Sequence, residues 1–432
     1  METPMRRFTP FAFAILLATF FAPPAGAADD DNVYPVAVRW WGQAMISIEN
    51  WWGLTVVIDP YSLEIGYNDP GVDADFVCVS HEHFDHNNVG LIAGDPFVIR
   101  GLENGAVESF ATTTEDRADG ASRHTTHIDT IASFHDDKRG ADLGANAMFL
   151  VETEGVRILH CGDLGQHALT KEQLEQIGEI DVLCVPVGGV YTVDGPQAVA
   201  IVEQIHPRIV VPIHYKTRAL TISLDPVEPF LAALPDKYEV VRPVGNTLAV
   251  SAGGGPTREN PRVVVLNYRP WEMPAGLADL FGAKEAASKK SQETFRALRT
   301  DQLNHKPSNG THTPRWNSEH MLGTESLFFS SMYARLDPAI RPINLRPAQM
   351  PPDYVAAHPD WDGEQEADQM QRVEDFSRRF AYLLDGAPLD ELPEGAPRFA
   401  GDLRGLFNLM INHYGEHTAH VHEKYELEDW PE

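Results

Sequence analysis

With 432 residues and an apolar share of 43%, the chain has enough material for two hydrophobic cores. Its net charge of −29 excludes a basic phosphate-gripping surface, so neither a nucleic acid nor an anionic membrane face is an expected partner. A small anionic substrate stays open, because bound metal ions reverse the local field.

The N-terminus has the layout of an export signal over residues 1–27. Arg6 and Arg7 precede an apolar run from Phe11 to Phe21, and Ala25-Gly26-Ala27 offers a small-residue cleavage site. The run is short for a bilayer-spanning helix. The expectation is a protein matured near Ala28, periplasmic or secreted, with no stable membrane association; an uncleaved anchor is the alternative. Cys78, Cys161 and Cys184 each lie in or beside an apolar run. An odd count in such places predicts buried free thiols rather than a disulfide framework.

From Val33 to Ser251 the pattern gives strands first, then strands alternating with helices. Val36–Trp41, Ala44–Ile48 and Leu54–Ile58 have strand character, the last ending at Asp59-Pro60. Asp75–Val79 and Phe97–Ile99 follow, with a helix expected from Asn88. Thr130–Phe134 is a strand that ends in His135, and Ala147–Val151 with Val156–His160 form a hairpin turning at Glu154-Gly155. That hairpin runs into Cys161-Gly162-Asp163. Lys171–Ile177 and Gln197–Ile205 are helices, Asp181–Val187 is a buried strand, and Ile209–Ile213 is a strand ending in His214. Thr247–Val250 is the last strand expected in this region.

The densest chemistry lies in Ser80-His81-Glu82-His83-Phe84-Asp85-His86-Asn87, directly after an apolar strand. In extended chain, residues two apart point the same way, so His81 and His83 can grip one ion while Asp85 and His86 face a second. Neutral imidazole and carboxylate suit zinc, with manganese or iron as alternatives. One histidine at a strand end usually has a structural hydrogen bond. Here His81, His135, Asp163 and His214 all occupy strand C-termini, and one sits inside a His-x-His-x-Asp-His run.

These elements resemble the metallo-β-lactamase superfamily, metal-dependent hydrolases with an αββα sandwich fold. The resemblance rests on Ser80 to His86, His135, His160-Cys161-Gly162-Asp163 and Ile213-His214-Tyr215, and it covers residues 33–251. Asp181 to Gly189 and Pro212 to Tyr215 are most similar to the small hydrolases that include the ascorbate-6-phosphate lactonase. The resemblance implies a first metal held by His81, His83 and His135, and a second held by Asp85, His86 and His214, with Asp163 bridging them. Asp85 and His86 are then the catalytic candidates, Asp85 orienting the attacking water. A carboxylate at Asp163, where β-lactam-cleaving members have cysteine, resembles the bridged dinuclear hydrolases. Lys138 and Arg139, in the charged loop after His135, are candidates to meet an anionic group, and Tyr191 could reach the cleft.

Ser251-Ala252-Gly253-Gly254-Gly255-Pro256 is a breaker cluster, and residues 252–262 are expected as a linker. Helical periodicity then takes over through residues 263–432. Leu277–Leu298, Trp316–Leu336, Glu364–Leu384 and Leu403–Tyr425 form four long helices, enough for an antiparallel bundle. Residues three or four apart share a helix face, so His413 and His417 can chelate an ion with His320 as third ligand; His417 with His420 is the alternative pair. The region resembles the DinB-like bundle superfamily, whose members often carry a three-histidine site. The family's Arg-Gly-Gln continuation is replaced here by Val421-His422-Glu423.

The function expected is an exported hydrolase with two divalent ions in its first domain and one in its bundle. A metal-activated water would cleave an ester, lactone or phosphodiester of a small molecule. A nucleotide or nucleic-acid phosphodiesterase, and a non-catalytic metal-binding or scaffold protein, are the competing readings.

Overall fold

The computed structural model describes residues 32–118, 123–347 and 353–432, so the expected export segment 1–27 lies outside the described residues. Five strands open the chain: β1 (Val36–Gly42), β2 (Met45–Glu49), β3 (Thr55–Ile58), β4 (Phe76–Val79) and β5 (Phe97–Arg100). A small hairpin of β6 (Leu102–Glu103) and β7 (Ala106–Val107) leads to the long strands β8 (Ala111–Ala118) and β9 (Arg123–Phe134). β10 (Ala145–Thr153) and β11 (Val156–His160) precede α1 (Lys171–Ile177), β12 (Val182–Pro186), α2 (Gly195–Ile205) and β13 (Ile209–Ile213). Then come α3 (Glu228–Ala233), β14 (Glu239–Val241), β15 (Thr247–Val250) and β16 (Arg262–Val264). Two mixed sheets result, β15-β1-β2-β3-β4-β5 and β14-β16-β13-β12-β11-β10-β9-β8.

Period-2 alternation decides what each sheet face meets. Val36, Val38 and Trp40 of β1 point between the sheets, where they join Ile46, Ile58, Phe149 and Ile158 in one core. α2 packs its apolar stripe, Ala198, Ile201, Val202 and Ile205, against the second sheet. Capping boxes at Thr170/Gln173 and Asp194/Gln197 start α1 and α2.

The first sheet is covered differently. The helix expected from Asn88 is a single 3-10 turn, Val89–Leu91. Gly90 and Gly94 weaken helix propagation there, and Asn88 turns its amide to the Tyr61 carbonyl instead of capping. Loop residues Tyr61, Ile65, Tyr67 and Leu91 cover Met45, Val57, Val77 and Val79. At the other end of the same face, Ala37 and Ala249 pack into the C-terminal helical core with Phe376 and Tyr382. The bundle therefore supplies the outer helical layer over β1 and β15.

A second difference lies at the breaker cluster. β16 follows it and inserts between β13 and β14 as a parallel strand. The expected linker 252–262 thus carries the chain from the first sheet to the second, and the helical region begins beyond it. The glycines there serve close packing: a Cβ on Gly254 would strike the Ala339 carbonyl.

The helical region comprises α4 (Ala275–Arg296), the short α5 (Thr300–Leu303), α6 (Pro314–Leu336), α7 (Gly363–Arg379) and α8 (Leu403–His422). α4 and α6 each pack against both α7 and α8, the arrangement of a four-helix bundle. Side-chain caps from Thr313, Asp362 and Asp402 start α6, α7 and α8. Buried charges occur as pairs, Lys284 with Glu325 and Arg315 with Glu366. The seam with the sandwich is both apolar and polar. Trp51 stacks on Tyr34 at 4.7 Å and meets Phe376 at 5.6 Å, while Arg379 pairs with Glu49. Among the described residues no helix is long and apolar enough to cross a membrane. Cys78, Cys161 and Cys184 are buried free thiols.

Candidate metal centre

β3 and β4 are parallel, as are β11, β12 and β13, and β9 runs in the same direction as β11 through two antiparallel pairings. Their C-terminal ends therefore gather at one edge of the sandwich. Asp59 follows β3, the His81–His86 loop follows β4, His135 follows β9, Asp163 follows β11 and His214 follows β13. Asp59 and His214 both adopt left-handed backbone, φ +54° and +50°, which turns each strand end sharply.

One carboxylate oxygen organises the cluster. Asp163 Oδ2 lies 3.2 Å from His86 Nε2, 3.2 Å from His135 Nε2, 3.3 Å from His214 Nε2 and 3.9 Å from His81 Nε2. His83 Nδ1 is 3.0 Å from His81 Nε2, and Asp85 Oδ2 is 3.6 Å from His86 Nε2 and 4.0 Å from His214 Nε2. Donor atoms sharing a tetrahedral ion at about 2.1 Å stand about 3.4 Å apart, so these separations suit shared ions. His86 Nε2, both ring nitrogens of His135 and Asp163 Oδ1 are buried without an aligned hydrogen bond. The residues present therefore fit divalent cations: His81, His83 and His135 form one group, and Asp85, His86 and His214 another.

The electrostatics divide the set: burial opposes protonation of His135, but the Asp163 carboxylate raises its pKa above normal. Burial resists charge on Asp163, yet His214 and His86 hold its pKa well below the ordinary carboxylate range. Burial and His86 push His81 well below the usual imidazole value, and burial lowers His83 and His214. Only neutral rings ligate. On His86 burial opposes protonation, but the Asp163 and Asp59 carboxylates raise its pKa well above normal.

Several residues outside the expected ligand set hold it in place. Buried Asp59 accepts from Ser80 N and Ser80 Oγ, both at 2.7 Å, and pairs with His86 Nδ1 at 3.0 Å. Ser80 Oγ lies 2.9 Å from His81 Nδ1. Asn146 accepts from Asp163 N at 2.9 Å, and a Cβ on Gly162 would collide with Asn146 and Ser80. His160 donates Nε2–H to the Ala44 carbonyl at 2.7 Å and accepts from Gly162 N, so it supports the turn before Asp163. Asp59 carried a usable signal, since it ends a strand as the ligand candidates do. Gln43 and Asn146 carried none, because their roles depend on contacts 42 and 17 residues away.

Residues 37–214 match the profile of the beta-lactamase superfamily domain. The chain is 31% identical over 226 residues to the UPF0173 metal-dependent hydrolase of Thermococcus kodakarensis, covering 48% of this chain and 95% of that protein. The chain belongs to the UPF0173 metal-dependent hydrolases. The Geobacillus sp. member of this family is 31% identical over 223 residues, 46% of this chain and 93% of its own. A Thermotoga maritima crystal structure, provisionally named a Zn-dependent hydrolase of the metallo-beta-lactamase superfamily, is 34% identical. It covers 54% of this chain and 98% of its own, with a TM-score of 0.40. Residues 284–421 match the DinB superfamily, so this metal-dependent hydrolase carries a DinB domain after its sandwich.

That domain brings together a second donor set. His320, His413 and His417 converge with ring centroids 4.6–5.0 Å apart, and both nitrogens of His413 are buried without partners. Burial lowers the pKa of His320 and His413 to about 3, and burial with His413 lowers that of His417 to about 2, so all three rings are neutral. Trp316 stacks on His320 at 4.6 Å, and Asn317 Oδ1 pairs with His417 Nδ1 at 2.7 Å, leaving Nε2 for an ion. His420 is exposed and stays outside this group, so the geometry gathers the His413/His417 pair rather than His417/His420.

The substrate-contact candidates Lys138, Arg139 and Tyr191 are all exposed. Lys138 pairs with Asp142 at 2.5 Å in an exposed loop. Asp136 organises that loop by accepting four backbone N–H bonds of 2.7–2.8 Å, from Lys138, Gly140, Asp142 and Leu143. Tyr191 is exposed.

Proposed function

We propose that this hydrolase works through two divalent, zinc-like ions, cleaving an ester, lactone or phosphodiester bond of a small molecule. The observation that carries the reading is Asp163 Oδ2, which stands among four imidazole nitrogens at 3.2–3.9 Å as a bridging carboxylate would. Two such ions, when bound, lower the pKa of a water to near neutrality and polarise the scissile oxygen.

The protein's own residues do the rest. His81, His83 and His135 hold one side, His86 and His214 hold the other, and Asp163 fixes their spacing. Asp85 is both ligand and acceptor: its side chain, 12% exposed at the centre's rim, is placed to take a hydrogen bond from the attacking water and orient it. Asp59 keeps the proton of His86 on Nδ1, so Nε2 stays available. In the DinB domain, His320, His413 and His417 are proposed to hold a third ion. The strongly acidic chain supports a small-molecule substrate over a nucleic acid. Export to the periplasm or beyond is part of the reading and rests on the Arg6-Arg7, Phe11–Phe21 and Ala25-Gly26-Ala27 pattern alone.

Asp163→Ala tests the centre. The variant is expected to stay folded, to lose one or both sandwich ions by mass spectrometry, and to lose turnover on a panel of chromogenic esters, lactones and phosphodiesters. Both sandwich ions retained with full turnover would sink the assignment of Asp163 as bridging ligand.

A further inference from the structure

We propose that Gln43 is a positioning residue for the metal centre, holding Asp85 in its ligating orientation and tying it to the His214 backbone. This deepens the dinuclear reading and rests on it.

Gln43 sits at the tip of the β1–β2 hairpin, where the strand register shifts between Trp40 and Gly42. Its φ is +49°, a conformation disfavoured for a residue with a Cβ. A polar side chain in strained backbone, fully buried, is costly unless its contacts compensate. The side chain has such a contact at Nε2 alone, since Oε1 is buried without a partner. Nε2 donates to Asp85 Oδ2 at 2.8 Å. An ionised carboxylate only accepts, so the amide nitrogen must face it. The Gln43 carbonyl accepts from His214 N at 2.8 Å and from Trp40 Nε1 at 2.9 Å. The next carbonyl, of Ala44, accepts from His160 at 2.7 Å. One turn thus touches a ligand candidate's side chain, a second candidate's backbone and the histidine before Asp163.

The geometry makes the turn rigid. A side chain on Gly42, with φ +113°, would collide with the Tyr67 ring, so the hairpin lies flat on that residue. Asp85, by contrast, belongs to a short loop closed by His86 N bonding to the His83 carbonyl. Among the described residues, Gln43 is the one hydrogen-bond donor to the Asp85 side chain. Without it the carboxylate is free to rotate away from His86 and His214. The ions are bound unequally in this respect: among the described residues Gln43 makes its ligand-side hydrogen bonds to Asp85 and the His214 backbone and none to His81, His83 or His135, so only the Asp85 side depends on it.

The test uses the full chain with Gln43→Leu, which removes the donor, and Gln43→Glu, which keeps the shape but sets an acceptor against Asp85. Ion number is read by mass spectrometry and affinity by competition with a chromophoric chelator under zinc titration. With the bundle ion unchanged, the expectation is one sandwich ion held with parental affinity and one weakened by about 10–100-fold, more in Gln43→Glu than in Gln43→Leu. Turnover should fall through kcat at limiting zinc and recover towards the parent at saturating zinc, with KM unchanged. A purely structural Gln43 would instead lower the melting temperature of the metal-free protein and leave both affinities alone, which overturns the proposal. Both sandwich ions bound with parental affinities in both variants overturn it as well. A parent chain that takes up only one sandwich ion overturns the dinuclear reading, and this proposal with it.

Discussion

Replacing Asp59 with Asn exchanges one oxygen for an NH2 group in a buried network that touches two ligand histidines. Asp59 Oδ1 accepts from Ser80 N at 2.7 Å; Oδ2 accepts from Ser80 Oγ at 2.7 Å and faces His86 Nδ1 at 3.0 Å. An Asn side chain has one acceptor oxygen for these three partners. If its NH2 takes the Oδ2 place, it presents a donor to His86 Nδ1. The ring proton then moves to Nε2, the atom 3.2 Å from Asp163 Oδ2, and a protonated Nε2 does not bind an ion. Losing the outer partner of a ligating histidine typically costs about 10–100-fold in metal affinity, or about 1.4–2.7 kcal/mol. If the amide flips, NH2 confronts the Ser80 N–H instead, and one buried donor is orphaned at a cost of about 1–3 kcal/mol. Both arms are measurable on the full chain, by chelator competition for zinc and by thermal melting of the metal-free protein. Asp59→Asn should weaken one ion, lower the melting temperature, or do both. Parental zinc affinity together with parental melting would refute the claim that Asp59 sets the His86 tautomer.

Glu374 on α7 is buried beside Lys284, Glu285 and Ser288 of α4 and Glu325 of α6, and burial raises its pKa to about 7. A carboxyl that binds its proton more tightly folded than unfolded loses stability as pH rises from 4.5 to 7. Glu374→Gln removes that loss, so the variant should exceed the parent by up to about 3 kcal/mol at pH 8 and converge with it below pH 4.5; denaturant melts at both pH values check it, and equal curves at pH 8 would refute the burial argument. Trp51→Ala empties the seam where Trp51 meets Tyr34 and Phe376. It should cost about 3–5 kcal/mol and split the calorimetric transition into separate sandwich and bundle unfolding, whereas a single transition shifted by under about 1 kcal/mol would show that the seam does not couple them.

The candidate ligand set was legible because its chemistry is local in sequence or marked by position. His81, His83, Asp85 and His86 fall in one loop, and His135, Asp163 and His214 each end an apolar strand. The helical triad was legible up to an ambiguity, since His413, His417 and His420 share a helix face by spacing alone. Burial decides it: His413 is enclosed in the bundle and His420 is exposed. The helix expected at Asn88 and the sheet expected to close at Val250 were misplaced for the same reason. Short-range propensity says nothing about which surface a segment must cover. Val263 and Val264 read as the start of the helical region until β13 and β14 leave a gap of strand width between them.

By itself, then, the sequence determined the order of strands and helices, the residues able to hold metal, and the break from sheets to helices, because hydrophobic period and strand-end chemistry are local properties. The tertiary structure alone decided the rest. It put Asp163 Oδ2 at the focus of four imidazoles, set Asp59 and Gln43 behind the ligands, and laid the bundle against β1 and β15 as the missing outer layer. Each of those depends on pairs of residues far apart in the chain, brought together only when parallel strands align their C-terminal ends and two alanine faces have to leave water.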